Sequence, residues 1–361
     1  MANLLAVIKR QDWLLNFSIL LLSLASLAII RSISENLFWQ QLLWFAVSFI
    51  VIIVFSSVDW RSFVNYRWFI WGIYGASVLL LIITFFLAPT IRQSKSWLVI
   101  GPVQFQTSEF AKVALIAALA SFFMKQHVGI AHFSVLVKSF VFFLIPAGLI
   151  LLQPDLGTVI ILLGLWLGFL LVSGLRWRHI FIGFMILALL SAFGWFYFLK
   201  DYQKSRVVAL FNADYDPLGV NYSVIQSKIA IGSAGFWGTG FHQGTQAQLG
   251  FLPESSTDFI LAAFIEEWGL LGGMLVIFLF ILLVFRIIRV GWLSENNFAR
   301  LFCLGTAIMF LIQFIINTGS TAGLLPVIGV TFPFFSYGGS SILINAVLVS
   351  VVQSISARSK F

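Results

Sequence analysis

Long apolar runs recur along almost the whole chain, separated by short connectors in which most of the charge collects. A helix needs roughly 17–25 predominantly apolar residues to cross a bilayer. Ten segments fit that description: 13–30, 38–57, 68–88, 109–124, 133–152, 156–173, 180–199, 259–285, 299–318 and 338–356. The pattern predicts an all-α polytopic membrane protein with ten transmembrane helices, forming one domain over residues 1–361. One long polar interval, Lys200 to Asp258, separates the seventh and eighth spans. Gly and Pro interrupt the apolar run from Gly319 to Ser341. Irregular backbone at membrane depth is tolerated only against protein or a wet cavity, so that stretch is expected to line a cavity.

Composition agrees. The 361 residues are 60% hydrophobic and 9% charged, against about half and about a quarter in soluble domains. The net charge of +8 does not point to nucleic acid, because the basic residues are scattered through the connectors, as membrane orientation requires. With a cytoplasmic N-terminus, thirteen of them, from Lys9 and Arg10 to Arg358 and Lys360, fall inside. The opposite short loops and helix entries hold Arg31, Arg92, Lys95 and Lys112. Both termini are then cytoplasmic, the Lys200–Asp258 loop faces outward, and Trp60, Trp68, Trp177 and Trp292 sit as interfacial anchors. Residues 1–12 lead into a full-length span and read as the start of an uncleaved first helix. Cys303 is alone, which excludes a disulfide framework or Cys metal site. His127, His132, His179 and His242 lack metal-ligand spacing, and no Walker A pattern implies a nucleotide cofactor.

Against this apolar background a few polar groups carry the candidate chemistry. Asp258 closes the outward loop just before an apolar helix. Ser255, Ser256 and Thr257 are good N-caps, which would put Asp258 in the first helical turn, where the helix dipole favours its ionised form. A helix cap and a functional carboxylate are equally good readings of the residue alone. An ionised carboxylate there can accept a proton or hold a divalent cation, but is a poor general acid. Lys200, Lys204 and Arg206, with the Gly232–Gly240 run, offer cations and backbone N–H groups for a diphosphate, or the glycines merely make turns. Glu109 and Lys112, three apart on one helix face beyond Trp97, read as an ion pair or the wall of a polar cavity. Asp155 can cap the helix after it. Glu266 and Glu267 lie within the eighth span, where a carboxylate is either functional or bonded to a neighbouring helix.

Four segments resemble, in order, the SEDS family of cell-wall polymerases: Gln104-Phe-Gln-Thr-Ser-Glu-Phe-Ala-Lys112, Gln153-Pro-Asp-Leu-Gly-Thr158, Gly250-Phe-Leu-Pro-Glu-Ser-Ser-Thr-Asp-Phe259, and Gly323-Leu-Leu-Pro326 through Pro333-Phe-Phe-Ser-Tyr-Gly-Gly-Ser-Ser341. The stretch Arg206–Pro217 is closer to the elongation branch of that family than to its division branch. Thr107, Ser255-Ser256 and Ser320–Ala322 depart from the usual family residues. The resemblance implies a peptidoglycan glycosyltransferase of the bacterial cytoplasmic membrane, polymerising lipid II at the outer face and releasing undecaprenyl diphosphate. It also implies a class B penicillin-binding protein transpeptidase as partner. The family's essential aspartate maps onto Asp258, acting as general base or through magnesium or manganese. Its polar pair maps onto Glu109 and Lys112, and Lys204, Arg206, Trp97 and Ser336 complete the expected substrate-binding set. A flippase for lipid-linked precursors and a non-catalytic scaffold are the competing functions.

Overall fold

The computed structural model describes residues 10–60, 67–89, 94–101, 103–125, 133–174, 183, 185, 189, 192–197, 201–212 and 215–358. Nine of the ten expected segments are helices among these: α1 (Trp13–Ile33), α2 (Glu35–Ser56), α3 (Arg67–Leu87), α4 (Thr107–Phe123), α5 (Phe133–Leu152), α6 (Leu156–Val172), and, beyond the long polar interval, the three C-terminal helices Ile260–Leu293, Asn297–Thr321 and Gly339–Arg358. Most of the expected span 180–199 falls outside the described residues, as do Lys200, His127, His132, His179 and Trp177. Among the described residues, seven helices are long and apolar enough to cross a membrane. Helices α4 and α6, at 17 residues each, fall just short, at about 25 Å.

The polar interval is not the plain loop the sequence pattern suggests. It folds into α7 (Asp201–Phe211), α8 (Tyr222–Ser233) and the short α9 (Thr245–Gln248). The chain then continues through α10 (Ile260–Leu293), α11 (Asn297–Thr321) and α12 (Gly339–Arg358). A two-stranded antiparallel hairpin, β1 (Trp97–Ile100) and β2 (Val103–Gln106), precedes α4 and pairs Trp97 with Gln106.

Helix α12 is the centre of the bundle. Nearly all of it is buried, including Ser340, Ser341, Asn345, Ser350, Gln353, Ser354 and Ser356, polar groups that lipid would not solvate. It lies against α2, while α10 packs on α11 and α1, and α6 on α11. The last contact is close because Gly164 and Gly168 face Ile312 and Ile308; a Cβ on either glycine would come within 2.7 or 2.8 Å of those side chains. Small residues four apart let membrane helices approach in this way. Trp68 and Trp292 are strongly exposed, consistent with their reading as interfacial anchors. At the end away from the polar interval, Asp12 caps α1 through Leu15 N (3.1 Å) and pairs with Arg286 of α10 at 2.6 Å.

Helix α10 breaks at Gly269, whose φ of 72° and ψ of 179° are accessible essentially only to glycine. The break leaves backbone groups open, and the Gly235–Gly240 stretch fills them. Thr239 N and Gly240 N donate to the carbonyls of Glu266 (2.9 Å) and Glu267 (3.0 Å), while Leu270 N and Leu271 N donate to Gly235 O (3.1 Å) and Phe236 O (3.3 Å). The backbones touch: a Cβ at Gly238 would lie 2.2 Å from Glu267 O, and one at Gly269 2.3 Å from Phe236 O.

Candidate functional site

Asp258 stands at the exit of a tight turn, residues 253–259, that feeds α10. The turn closes over Glu254, whose φ is 51°. Its carbonyl accepts from Thr257 N (3.1 Å) and Phe259 N (3.2 Å), and its carboxylate from Thr257 Oγ1 (2.9 Å). A non-glycine residue in this region costs on the order of 1–3 kcal/mol and persists where its surroundings over-determine it. The expected capping of α10 by Ser255, Ser256 or Thr257 does not form. The helix begins at Ile260 behind Phe259, which makes no side-chain cap bond. Thr257 is committed to Glu254, and the Ser256 and Thr257 carbonyls accept from Tyr337 N (2.9 Å) and Ser336 Oγ (2.7 Å). Asp258 therefore precedes the helix rather than sitting in its first turn.

The Asp258 backbone is anchored from the end of α11. Asn317 Nδ2 donates to its carbonyl at 3.1 Å and Thr321 Oγ1 at 3.5 Å, and the same Asn317 amide donates to Val330 O at 2.8 Å. Gly329, with φ of 71°, runs beside the half-buried carboxylate; a Cβ there would lie 3.8 Å from Asp258 Oδ2. Ser336 is buried, and its hydroxyl accepts from Phe332 N (2.9 Å) while donating to Thr257 O. Its place is to tie the 322–338 segment to the Asp258 turn. Next to it, burial raises the Tyr337 phenol above its usual range, so the group stays protonated and donates to Gln40 Oε1.

The Glu109–Lys112 pair forms at 2.7 Å with both side chains nearly inaccessible. Glu109 Oε2, also buried, has no hydrogen-bond partner among the described residues. Lys112 is thus neutralised within α4. The start of that helix is held by Asp155, which accepts from Gln106 Nε2 (3.3 Å), Ser108 Oγ (3.3 Å), Thr158 N (3.0 Å) and Thr158 Oγ1 (2.8 Å). Asp155 caps α6, as expected. Gly157, in the first turn of α6, abuts the other cluster: a Cβ there would come 2.6 Å from Ile328 O and 3.2 Å from Val330 Cγ2. The α4–α6 corner and the Asp258 turn therefore both pack on residues 328–330.

Other expected groups are placed differently. Trp97 is half-buried on β1, in the hairpin beside the α4 corner, and no hydrogen bond joins it to Asp258 among the described residues. Lys204 is half-buried on α7; the backbone of Arg206 is helical, and its side chain lies outside the described residues. In the glycine run, the N–H groups of Gly238, Thr239 and Gly240 are spent on Ala234 O and on the α10 break rather than offered to a diphosphate. Glu266 and Glu267 are bonded to neighbouring segments, the second of the two readings of the sequence. Glu266 accepts from Gln246 N (2.8 Å) and Ala247 N (3.2 Å), and Glu267 from Gln248 Nε2 (3.1 Å) and the Ser32 hydroxyl. They bind the polar region to α1 and α10. The residues missed by sequence reasoning are Asn317, Gly157 and Gly329; a polar Asn inside an apolar span, four residues after the equally buried Gln313, was the available signal. Among the described residues no group of three or more His, Cys, Asp or Glu side chains is arranged to hold a metal ion.

A many-helix membrane protein with a carboxylate fixed between a broken apolar segment and a folded polar region is the class that these features define. The chain belongs to the FtsW/RodA/SpoVE family of cell cycle proteins, whose sequence model matches residues 7–361. It is 34% identical to the peptidoglycan glycosyltransferase MrdB of Escherichia coli over 87% of this chain and 84% of that one. It is also 34% identical to stage V sporulation protein E of Bacillus subtilis, over 89% and 87%. Among solved structures, it matches a chain of a peptidoglycan synthase complex that coordinates polymerization and crosslinking, with a TM-score of 0.82 and 31% identity over 96% of this chain and 97% of that one. The Thermus thermophilus rod shape determining protein RodA matches with a TM-score of 0.72 and 27% identity, over 97% and 98%.

Proposed function

We propose that this protein is a peptidoglycan glycosyltransferase that polymerises lipid II at the outer face of the bacterial cytoplasmic membrane, with Asp258 as its central catalytic group. The observation that carries the reading is Asp258 itself. Asn317, Thr321 and Gly329 hold it against the 328–330 segment, within a chain 34% identical to a peptidoglycan glycosyltransferase over most of both lengths. In this reading the chain spans the membrane ten times, with both termini cytoplasmic and the 201–258 region outside.

In the reaction, Asp258 takes the proton of the acceptor sugar's 4-hydroxyl. The freed oxygen attacks the anomeric carbon of the donor, and the carbon–oxygen bond to the diphosphate breaks with its electron pair. An α-linked donor gives a β-linked product, with undecaprenyl diphosphate released. The diphosphate leaves without a proton, so a second carboxyl acid, obligatory in glycosidases, is not required. A magnesium or manganese ion at Asp258 would have this one carboxylate and take its remaining ligands from diphosphate and water, a mode common for magnesium. The 323–338 segment and the α4–α6 corner, with the Glu109–Lys112 pair inside it, form the wall behind the acceptor. The resemblance to the elongation branch and the synthase-complex match support a class B penicillin-binding protein as crosslinking partner.

The test is polymerisation of labelled lipid II by the purified protein together with that transpeptidase. Wild type should yield glycan ladders. Asp258→Asn should lose about 10²–10⁴-fold in rate, the usual contribution of a positioned base, with folding intact. Full activity in Asp258→Asn overturns the assigned role, and no polymer from wild type with either metal overturns the enzymatic reading.

A further inference from the structure

Beyond the Asp258 turn, a cleft of about 440 Å³ opens between α7, the 216–221 turn, α8 and residues 323–327. Its walls are mostly apolar, with Leu210, Val224, Leu325 and Pro326 among them, and Lys228 supplies a cation. Lys228 is exposed, and among the described residues no hydrogen bond or ion pair engages its ammonium group. Lys112, by contrast, is buried and neutralised by Glu109. The acid lining the same cleft, Asp216, is turned back into its own turn: its Oδ2 accepts from Val220 N at 3.1 Å and lies over Gly219.

The cleft is linked to the Asp258 turn through the chain and its hydrogen bonds. Lys228 packs on Gly323, where a Cβ would lie 2.7 Å from its Nζ, and the φ of 70° at Gly323 favours glycine at that close approach. Ser227, its neighbour on α8, donates to Thr321 O at 2.8 Å, and Thr321 Oγ1 in turn reaches the Asp258 carbonyl. From Gly323 back to Thr321 is two residues, at most about 7 Å of backbone. The segment starting at Gly323 runs on to Gly329, beside the Asp258 carboxylate. One short stretch of chain thus touches the cation at one end and the base at the other.

We propose that this cleft seats the lipid-linked diphosphate, with Lys228 bonding the phosphate oxygens and the apolar walls receiving the first units of the prenyl chain. An ammonium with no partner among the described residues, beside apolar surface, matches a ligand that is dianionic at one end and hydrocarbon at the other. Charge appears on the diphosphate as the bond to the anomeric carbon breaks, so a cation placed there stabilises the leaving group. The assignment deepens, and rests on, the glycosyl-transfer reading.

The test measures binding of undecaprenyl diphosphate, and of uncharged undecaprenol, to the full chain in nanodiscs, in parallel with lipid II polymerisation alongside the transpeptidase. Lys228→Ala is expected to weaken diphosphate binding about 10- to 100-fold, the range for losing a charged hydrogen bond, and to slow polymerisation. Undecaprenol binding should not change, and Lys228→Arg should restore most of both. Since Lys228 is exposed, equal thermal unfolding of the variants is expected and confirms that folding is intact. Unchanged diphosphate binding in Lys228→Ala overturns the proposal, as does an equal loss for undecaprenol or no diphosphate binding by wild type. Lys228-dependent binding in a wild type that makes no polymer keeps this site and removes the glycosyl-transfer reading instead.

Discussion

Replacing Gly269 by alanine tests whether the break in α10 is what holds the polar region in place. The residue's φ and ψ of 72° and 179° would strain any L-residue by about 1–3 kcal/mol. The added methyl would also meet Phe236 O at 2.3 Å and Gly238 N at 2.4 Å. Those are backbone atoms, so the Gly235–Gly240 stretch must move away. Four backbone hydrogen bonds cross that junction, and each one left unmade where water is excluded costs about 1–3 kcal/mol. Losing only one or two, with the strain, gives a destabilisation of about 3–6 kcal/mol. A titration with SDS in mixed micelles reads this as a shift in unfolding free energy, and limited proteolysis should show cleavage between residues 201 and 258 before the bundle opens. Gly72→Ala is the control. It lies on α3 with nothing within 4 Å of the new methyl, and alanine should be neutral or stabilise the helix by up to about 1 kcal/mol. If Gly269→Ala stays within about 1 kcal/mol of wild type with an unchanged protease pattern, the docking argument is wrong.

Three further outcomes follow from the described contacts. Lys112→Met leaves the Glu109 carboxylate buried without its partner and should cost about 3–5 kcal/mol, while Glu109→Gln with Lys112→Met should recover much of it; SDS titration of the three variants separates an ion-pair effect from lost side-chain volume. Ser336→Ala removes two hydrogen bonds, from Phe332 N and to Thr257 O, so polymerisation should slow about tenfold or more, at least the equivalent of one bond of about 1.4 kcal/mol, with the KM for lipid II unchanged. Arg286→Ala strands the buried Asp12 carboxylate and should destabilise by about 3 kcal/mol or more, whereas Asp12→Asn with Arg286→Ala should be milder.

Nine of the ten expected segments were legible as helices because each is a long apolar run, and a run of that length has few alternatives to a helix. Asp258 was legible as a carboxylate at a boundary, but its surroundings were not. Ser255–Thr257 carry the residue types of a helix cap, and only the folded structure shows that the Thr257 hydroxyl is turned to Glu254 and that the Ser256 and Thr257 carbonyls are taken up by the 322–338 segment. Glu266 and Glu267 read from the sequence as either functional carboxylates or carboxylates bonded to a neighbouring helix. Their partners, Gln246 N, Ala247 N, Gln248 and Ser32, lie about twenty residues upstream or on α1, so sequence proximity could not reveal them. The glycines of 232–240 read equally well as turn formers or as a phosphate cradle. What decides is the Gly269 break, a tertiary feature with no local sequence period.

The position of α12 bears on how the protein is made. The helix at the middle of the bundle is the last one in the described chain, and chains are synthesised from the N-terminus. The earlier helices must then gather around an opening one helix wide. That opening closes only when a segment rich in buried Ser, Asn and Gln arrives, and these groups find partners in protein rather than in lipid. Arg358, at its end, donates to the carbonyls of Ser56 and Ser57 at the C-terminal end of α2, which makes the last turn of α12 a latch. Truncation at Gly338 should give a chain that enters the membrane but stays open to protease at the Asp258 turn. A copy lacking α12 would thus carry Asp258 without the segment that α12 holds against the rest of the bundle.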